Sequence, residues 1–158
     1  MSAAPAEAVV APTDLQVGHE ASFSRTIAEC DVYAFAGLTG DFAPQHMDEA
    51  AMRASAFGRR IAHGAMMVGF MSRASTMVTA GLSTTNKEET LVSLGYDRVR
   101  FLAPVFMGDT ITVAYRVTAV DPVKRRTRAE VRITNESGTL VAVAENILQW
   151  VRNAAPAS

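Results

Sequence analysis

Gly64-Ala-Met-Met-Val-Gly-Phe-Met-Ser-Arg-Ala-Ser-Thr-Met-Val-Thr-Ala80 is the most apolar helix candidate in the chain. Met66, Met67, Phe70, Met71, Ala74, Met77 and Val78 cover most of its circumference at helical spacing. A helix apolar nearly all round belongs inside a protein rather than on its surface. After it come four strand-like runs, residues 91–101, 110–120, 127–135 and 139–151. Gly108-Asp109, Asp121-Pro122 and Glu136-Ser137-Gly138 punctuate them. The last two pairs of strands have short connections and so form antiparallel hairpins. One long buried helix and a meander of long strands predict an α+β fold, with an antiparallel sheet wrapped around the helix.

That arrangement is hot-dog-like, and the methionines suit a helix that must mate with a curved sheet. Working back toward the N-terminus, residues 21–28 (ASFSRTIA) alternate as a strand does. From Glu29 the spacing of Val32, Phe35, Ala36 and Leu38 suits a short helix, with Gly37 and Gly40 as natural stops. Residues 39–45 gather Gly, Asp and Pro and are expected to form a loop. Residues 48–54 form a further short helix with Asp48 as its N-cap.

The whole reads as a single domain over residues 15–152, flanked by Ala/Pro-rich flexible tails at 1–14 and 153–158. With 49% hydrophobic and 20% charged residues the chain is globular rather than disordered. A formal net charge of -1 gives no global field to recruit nucleic acid or an anionic membrane. Cys30 is the single cysteine, so no intrachain disulfide forms. The first residues lack the basic start of a secretory signal, and no apolar run is long enough to cross a bilayer without charge. A soluble, cytoplasmic protein is expected.

Chemistry concentrates in Tyr33-Ala-Phe-Ala-Gly-Leu-Thr-Gly-Asp-Phe-Ala-Pro-Gln-His-Met-Asp-Glu49. Asp41 and His46 share one loop stiffened by Pro44, and a carboxylate with an imidazole can move protons around one water. Gly64 follows His63 and opens the buried helix, where an N–H without a neighbouring Cβ can approach a ligand oxygen closely. Alone, the Asp reads as a turn residue and the His as an ordinary loop side chain.

Together they resemble a known pattern. Leu38-Thr-Gly-Asp-Phe-Ala-Pro-Gln-His46 is similar to the hydratase signature of the MaoC-like family, which includes R-specific enoyl-CoA hydratases. Phe57-Gly-Arg-Arg-Ile-Ala-His-Gly64 and Arg100-Phe-Leu-Ala-Pro-Val-Phe-Met-Gly-Asp-Thr110 resemble later blocks of the same family. The resemblance implies a hot-dog fold, usually dimeric or built from paired hot dogs. It implies reversible hydration of a trans-2-enoyl thioester of CoA or a carrier protein to the (3R)-3-hydroxyacyl form. No cofactor or metal is implied. Asp41 and His46 match the catalytic pair, Gly64 the oxyanion-binding glycine and Ser72 a supporting serine on the helix.

Two positions depart from the pattern: Ala43 stands where the family usually has Asn, and Gln45 where it has a small aliphatic residue. The departures motivate one alternative, an acyl-binding partner subunit of a heterodimeric dehydratase. The fold also permits another, a hot-dog thioesterase. Candidate contacts to CoA phosphates are Arg59 and Arg60 beside the catalytic block, and Arg125 and Arg126 within the basic run 124–128, otherwise a solvated hairpin tip. His63 lacks the tight helical spacing of zinc ligands and is expected to be a structural or supporting histidine.

Overall fold

Apolar side chains spaced by two build five strands, and those spaced by about 3.6 build the helices between them. The computed structural model describes residues 15–80 and 89–154. In chain order they form β1 (Glu20–Thr26), α1 (Glu29–Thr39), α2 (Pro44–Met47), α3 (Glu49–Arg53), α4 (Gly64–Thr79), β2 (Glu89–Phe101), β3 (Thr110–Asp121), β4 (Arg126–Asn135) and β5 (Leu140–Arg152). Of the expected tails, residues 1–14 and 155–158 lie outside the described part.

All strand pairings are antiparallel, in the order β1-β3-β4-β5-β2. Ile111, Val113, Tyr115 and Val117 of β3 alternate inward, and Ala129, Val131 and Ile133 of β4 answer them across the ladder. The expected hairpins β3–β4 and β4–β5 are present. The expected meander of four strands is not. β2 pairs with β5 at the far edge, so residues 102–109 carry the chain across the sheet to β3. Asn146, fully buried on β5, helps shape that edge. Its Nδ2 donates to Ser93 Oγ (3.1 Å) and the Gly95 carbonyl (3.0 Å), where β2 bulges, and its Oδ1 accepts from Tyr115 Oη at 2.8 Å.

The helix α4 lies against the sheet, packed chiefly on β1 and β3. Met66, Met67, Met71, Ala74, Ser75 and Val78 face inward. Burial all round, as the sequence suggests, does not occur. Ala65, Gly69, Ser72, Arg73 and Thr76 are exposed, because one five-stranded sheet curves over only one side of the helix.

Short helices complete the layer over residues 29–53. Asp31 caps the start of α1 by accepting the Ala28 N–H at 2.9 Å. Gly37 sits within α1, and Gly40 is the stop, at a φ of 79° with its N–H on the Ala36 carbonyl. Asp48 caps α3 as expected, accepting the Ala51 N–H at 2.9 Å. Among the described residues no helix is long and apolar enough to cross a membrane.

Candidate active site

The left-handed turn at Gly40 reverses the chain and delivers Asp41 directly after α1. Asp41 Oδ1 accepts the Ala43 N–H at 3.3 Å, and the carboxyl stays half exposed. Pro44 then occupies the first position of α2, so a single helical turn replaces the end of the expected loop. That turn buries His46. Its Nδ1 lies 2.8 Å from the Ile61 carbonyl oxygen. A carbonyl only accepts, so Nδ1 carries a hydrogen, and in the neutral ring Nε2 holds the lone pair.

Residues 61–63 are tied down on both sides. The Ile61 N–H donates to the Gln45 carbonyl (3.0 Å) and the Ala62 N–H to the Val105 carbonyl (2.7 Å). His63 follows as the N-cap of α4, only 1% exposed. Its Nε2 donates to the Asp41 carbonyl oxygen at 2.9 Å and lies 4.0 Å from Asp41 Oδ2. Its ring stacks on that of His46, with centroids 3.7 Å apart and planes at 27°. Asp41, His46 and His63 thus bring one ligand-type atom each within 4.8 Å of one another. A metal needs lone pairs converging on one point, whereas stacked rings aim theirs side by side.

Beside it opens a cavity of about 360 Å³ lined by Gln45, His46, His63, Gly64, Phe57, Met67, Phe101 and Val105, among others. Apart from these polar groups its wall is apolar, which suits an acyl group next to a reacting polar head. Gly64 sits in the wall at the start of α4, where first-turn N–H groups have no intrahelical partner. A Cβ built on Gly64 would lie 2.7 Å from Phe101 Cδ2, so any side chain here would have to displace the Phe101 ring.

Comparison with known families decides the kinship: the MaoC-like domain matches residues 11–139. The chain belongs to the MaoC-like dehydratase family. It is 36% identical over 112 residues to the (R)-specific enoyl-CoA hydratase of Rhodospirillum rubrum, covering 71% of this chain and 72% of that protein. Against the (R)-specific enoyl-CoA hydratase of Aeromonas caviae it is 31% identical over 135 residues, covering 85% and 95%. The solved (R)-hydratase from A. caviae superposes with a TM-score of 0.72 over 86% of this chain and 97% of that one, at 31% identity. The hot-dog fold expected from the sequence is therefore the fold of the chain.

The remaining site expectations of this MaoC-like chain fall in different places. Ser72 does not line the cavity at His46. It lies along α4 in a second cavity of about 230 Å³, with Ser75, Thr76, Thr79, Leu91 and Ser93. The Ser72, Ser75 and Ser93 hydroxyls lie near Tyr96 Oη without a well-formed hydrogen bond to it, and burial pushes the Tyr96 hydroxyl up from its ordinary pKa.

Arg60 is mostly buried and already engaged. It pairs with Glu29, donates from Nε to Glu49 Oε2 at 3.3 Å and from Nη1 to Tyr33 Oη at 3.1 Å. Those bonds raise the guanidinium further above its usual range and hold Glu29 below its own. Arg59 is half exposed, stacked over the Phe106 ring at 3.9 Å and 3.8 Å from Asp109 Oδ1. Arg125 pairs with Glu89, and Arg126 Nε donates to Gln149 Oε1 at 2.6 Å; neither lines the cavity. Ala43, the N-cap of α2, offers no side-chain cap, and Gln45 faces the cavity.

The sequence reads His63 as a structural or supporting histidine, and the structure sets it against Asp41 and His46 without the sequence showing how. Its only signal was the position before a helix-opening glycine, and ring stacking leaves no trace in spacing.

Proposed function

We propose that the protein reversibly adds water to a trans-2-enoyl thioester, giving the (3R)-3-hydroxyacyl thioester. One observation carries the reading: the His46 ring, with its Nε2 lone pair, lines an apolar cavity beside Asp41 and the opening turn of α4. The relatives named (R)-specific enoyl-CoA hydratase supply the reaction class and its stereochemistry.

Water held between Asp41 and His46 attacks C3. The pair takes one proton from the water, and the C2=C3 electrons move toward the thioester oxygen. The Gly64 N–H, at the positive end of α4, stabilises the oxygen as it gains charge. C2 then collects a proton from the same pair, so the sum is one water across one double bond. The two groups act as a unit, and base and acid are not divided between them. The chemistry needs no cofactor, since the thioester itself acidifies C2.

Arg59 is the best placed of the four arginines for a CoA phosphate, being half exposed between the cavity-lining Phe57 and Ile61. A homodimer fits the open edge of β2, where Val92, Leu94 and Phe101 are exposed and a second copy can extend the sheet. Following crotonyl-CoA by loss of the conjugated enoyl absorbance and, in parallel, by thiol release tests the reading. Loss of absorbance without thiol supports hydration. Thiol release makes the protein a thioesterase instead, and turnover only after a second hot-dog chain is added makes it a partner subunit.

A further inference from the structure

Asp41 and His46 are held from one place. The three-residue segment 61–63 sends the Ile61 carbonyl to His46 Nδ1 at 2.8 Å and His63 Nε2–H to the Asp41 carbonyl at 2.9 Å. Asp41 is otherwise poorly fixed. Its carboxyl is half exposed, its one side-chain bond spans 3.3 Å, and Ala43 has no polar group to add another. His63 is the opposite, being 1% exposed, stacked on His46 and packed 4.8 Å from the Phe35 ring on its other flank.

A histidine serving only to fill space would be a poor choice here. Its Nδ1 is buried with no hydrogen-bond partner among the described residues, an arrangement that costs stability and that phenylalanine would avoid. What phenylalanine lacks is the N–H to Asp41.

We infer that His63 is a positioning residue: its Nε2–H fixes the Asp41 backbone beside the stacked His46, so the reactive pair keeps one relative placement. The inference rests on the hydratase reading for its kinetic consequence, but not for its structural one. Misplacing a reacting group by an ångström can cost on the order of a hundredfold in rate.

Two substitutions separate the roles. His63→Gln keeps an N–H donor and loses the ring; His63→Phe keeps a ring and loses the donor. Circular dichroism and Tm identify the folded variants, and His63→Met replaces the Phe variant if that one unfolds. With crotonyl-CoA, the Phe variant is expected to lose about a hundredfold in kcat with KM within about threefold, and the Gln variant to stay within about tenfold of the parent. Amide hydrogen exchange over residues 40–46 should quicken in the Phe variant and stay near the parent's rate in the Gln variant. Equal losses in both, a loss confined to KM, or unchanged kcat in the Phe variant would overturn the inference. If the unsubstituted protein does not hydrate crotonyl-CoA, the hydratase reading falls, and the exchange rates alone decide whether His63 positions the loop.

Discussion

The two ends of α4 face different chemistry. At its N-terminus, Gly64 meets two stacked imidazoles, a carboxylate and an apolar cavity of about 360 Å³. Two turns on, Ser72, Ser75, Thr76 and Thr79 turn hydroxyls into a smaller cavity against Leu91 and Ser93. Both ends carry residues matched to the family pattern, yet the first brings together two imidazoles and a carboxylate, and the second brings together hydroxyls. The second end stores polarity instead. Ser75 Oγ donates to the Ser72 carbonyl at 2.7 Å and Thr76 Oγ1 to the same oxygen at 3.3 Å, which is ordinary helix back-bonding. The contrast teaches that a motif marks a fold reliably and a site only where the fold converges its residues.

The sharpest way to break the contrast is to remove chemistry from the first end. Asp41→Asn and His46→Ala should each lower kcat for crotonyl-CoA hydration by on the order of a thousandfold in protein that circular dichroism shows to be folded, the usual scale for losing a general acid–base group. Full turnover in either folded variant would show that the reaction is not done here.

Gly64 offers a finer cut, because it has two reasons to be glycine. Gly64→Ala drives a methyl into the Phe101 ring and should cost about 1–3 kcal/mol of stability, read from denaturant midpoints. Phe101→Ala in the same chain relieves that clash. Activity still well below that of Phe101→Ala alone, once stability is regained, supports the carbonyl-binding role of the Gly64 N–H. Activity that recovers with stability reduces Gly64 to a packing residue.

At the second end, Ser72→Ala should leave kcat within about threefold, since Ser72 does not line the catalytic cavity in the chain itself. A loss comparable to that of His46→Ala would mean that Ser72 reaches the reacting atoms in the assembled protein.

The smallest effect concerns acid stability. Arg60 first, and then Tyr33, hold the Glu29 carboxyl below its ordinary value of 4.5. A depressed folded-state pKa stabilises the protein above that value, and the contribution is lost as pH falls through the folded pKa. The Tm difference between the parent and Arg60→Met should therefore shrink as pH is lowered from neutrality to below 4.5. A constant difference would show that Arg60 acts by packing alone.

How much of this was legible depended on the range of the interaction. The strands announced themselves, because alternation such as Ile111, Val113, Tyr115 and Val117 is local. So did Asp48 as a cap and Gly40 as a stop, since both act within one turn. Strand order was not legible: nothing in residues 102–109 says that β2 crosses to the far side of β5, and the pairing energy lies between segments distant in sequence. The exposed strip of α4 was missed for a related reason, because small residues such as Ala65 and Gly69 look apolar whether or not anything covers them.

At the site, Asp41 and His46 could be named from their block, while the stacking of His63 on His46 joins residues 17 apart through two backbone bonds. The arginines show the limit from the other direction. Arg60 beside the catalytic block looked free to bind phosphate, and its partners Glu29 and Glu49 lie 31 and 11 residues away.

The most direct measurement is hydration of crotonyl-CoA by the purified protein in deuterated water, with chiral analysis and mass spectrometry of the product. The account expects (3R)-3-hydroxybutyryl-CoA carrying one deuterium at C2, formed at a rate that His46→Ala lowers by on the order of a thousandfold. The (3S) product, free CoA in place of a hydroxyacyl thioester, or no product from any combination of chains would contradict it.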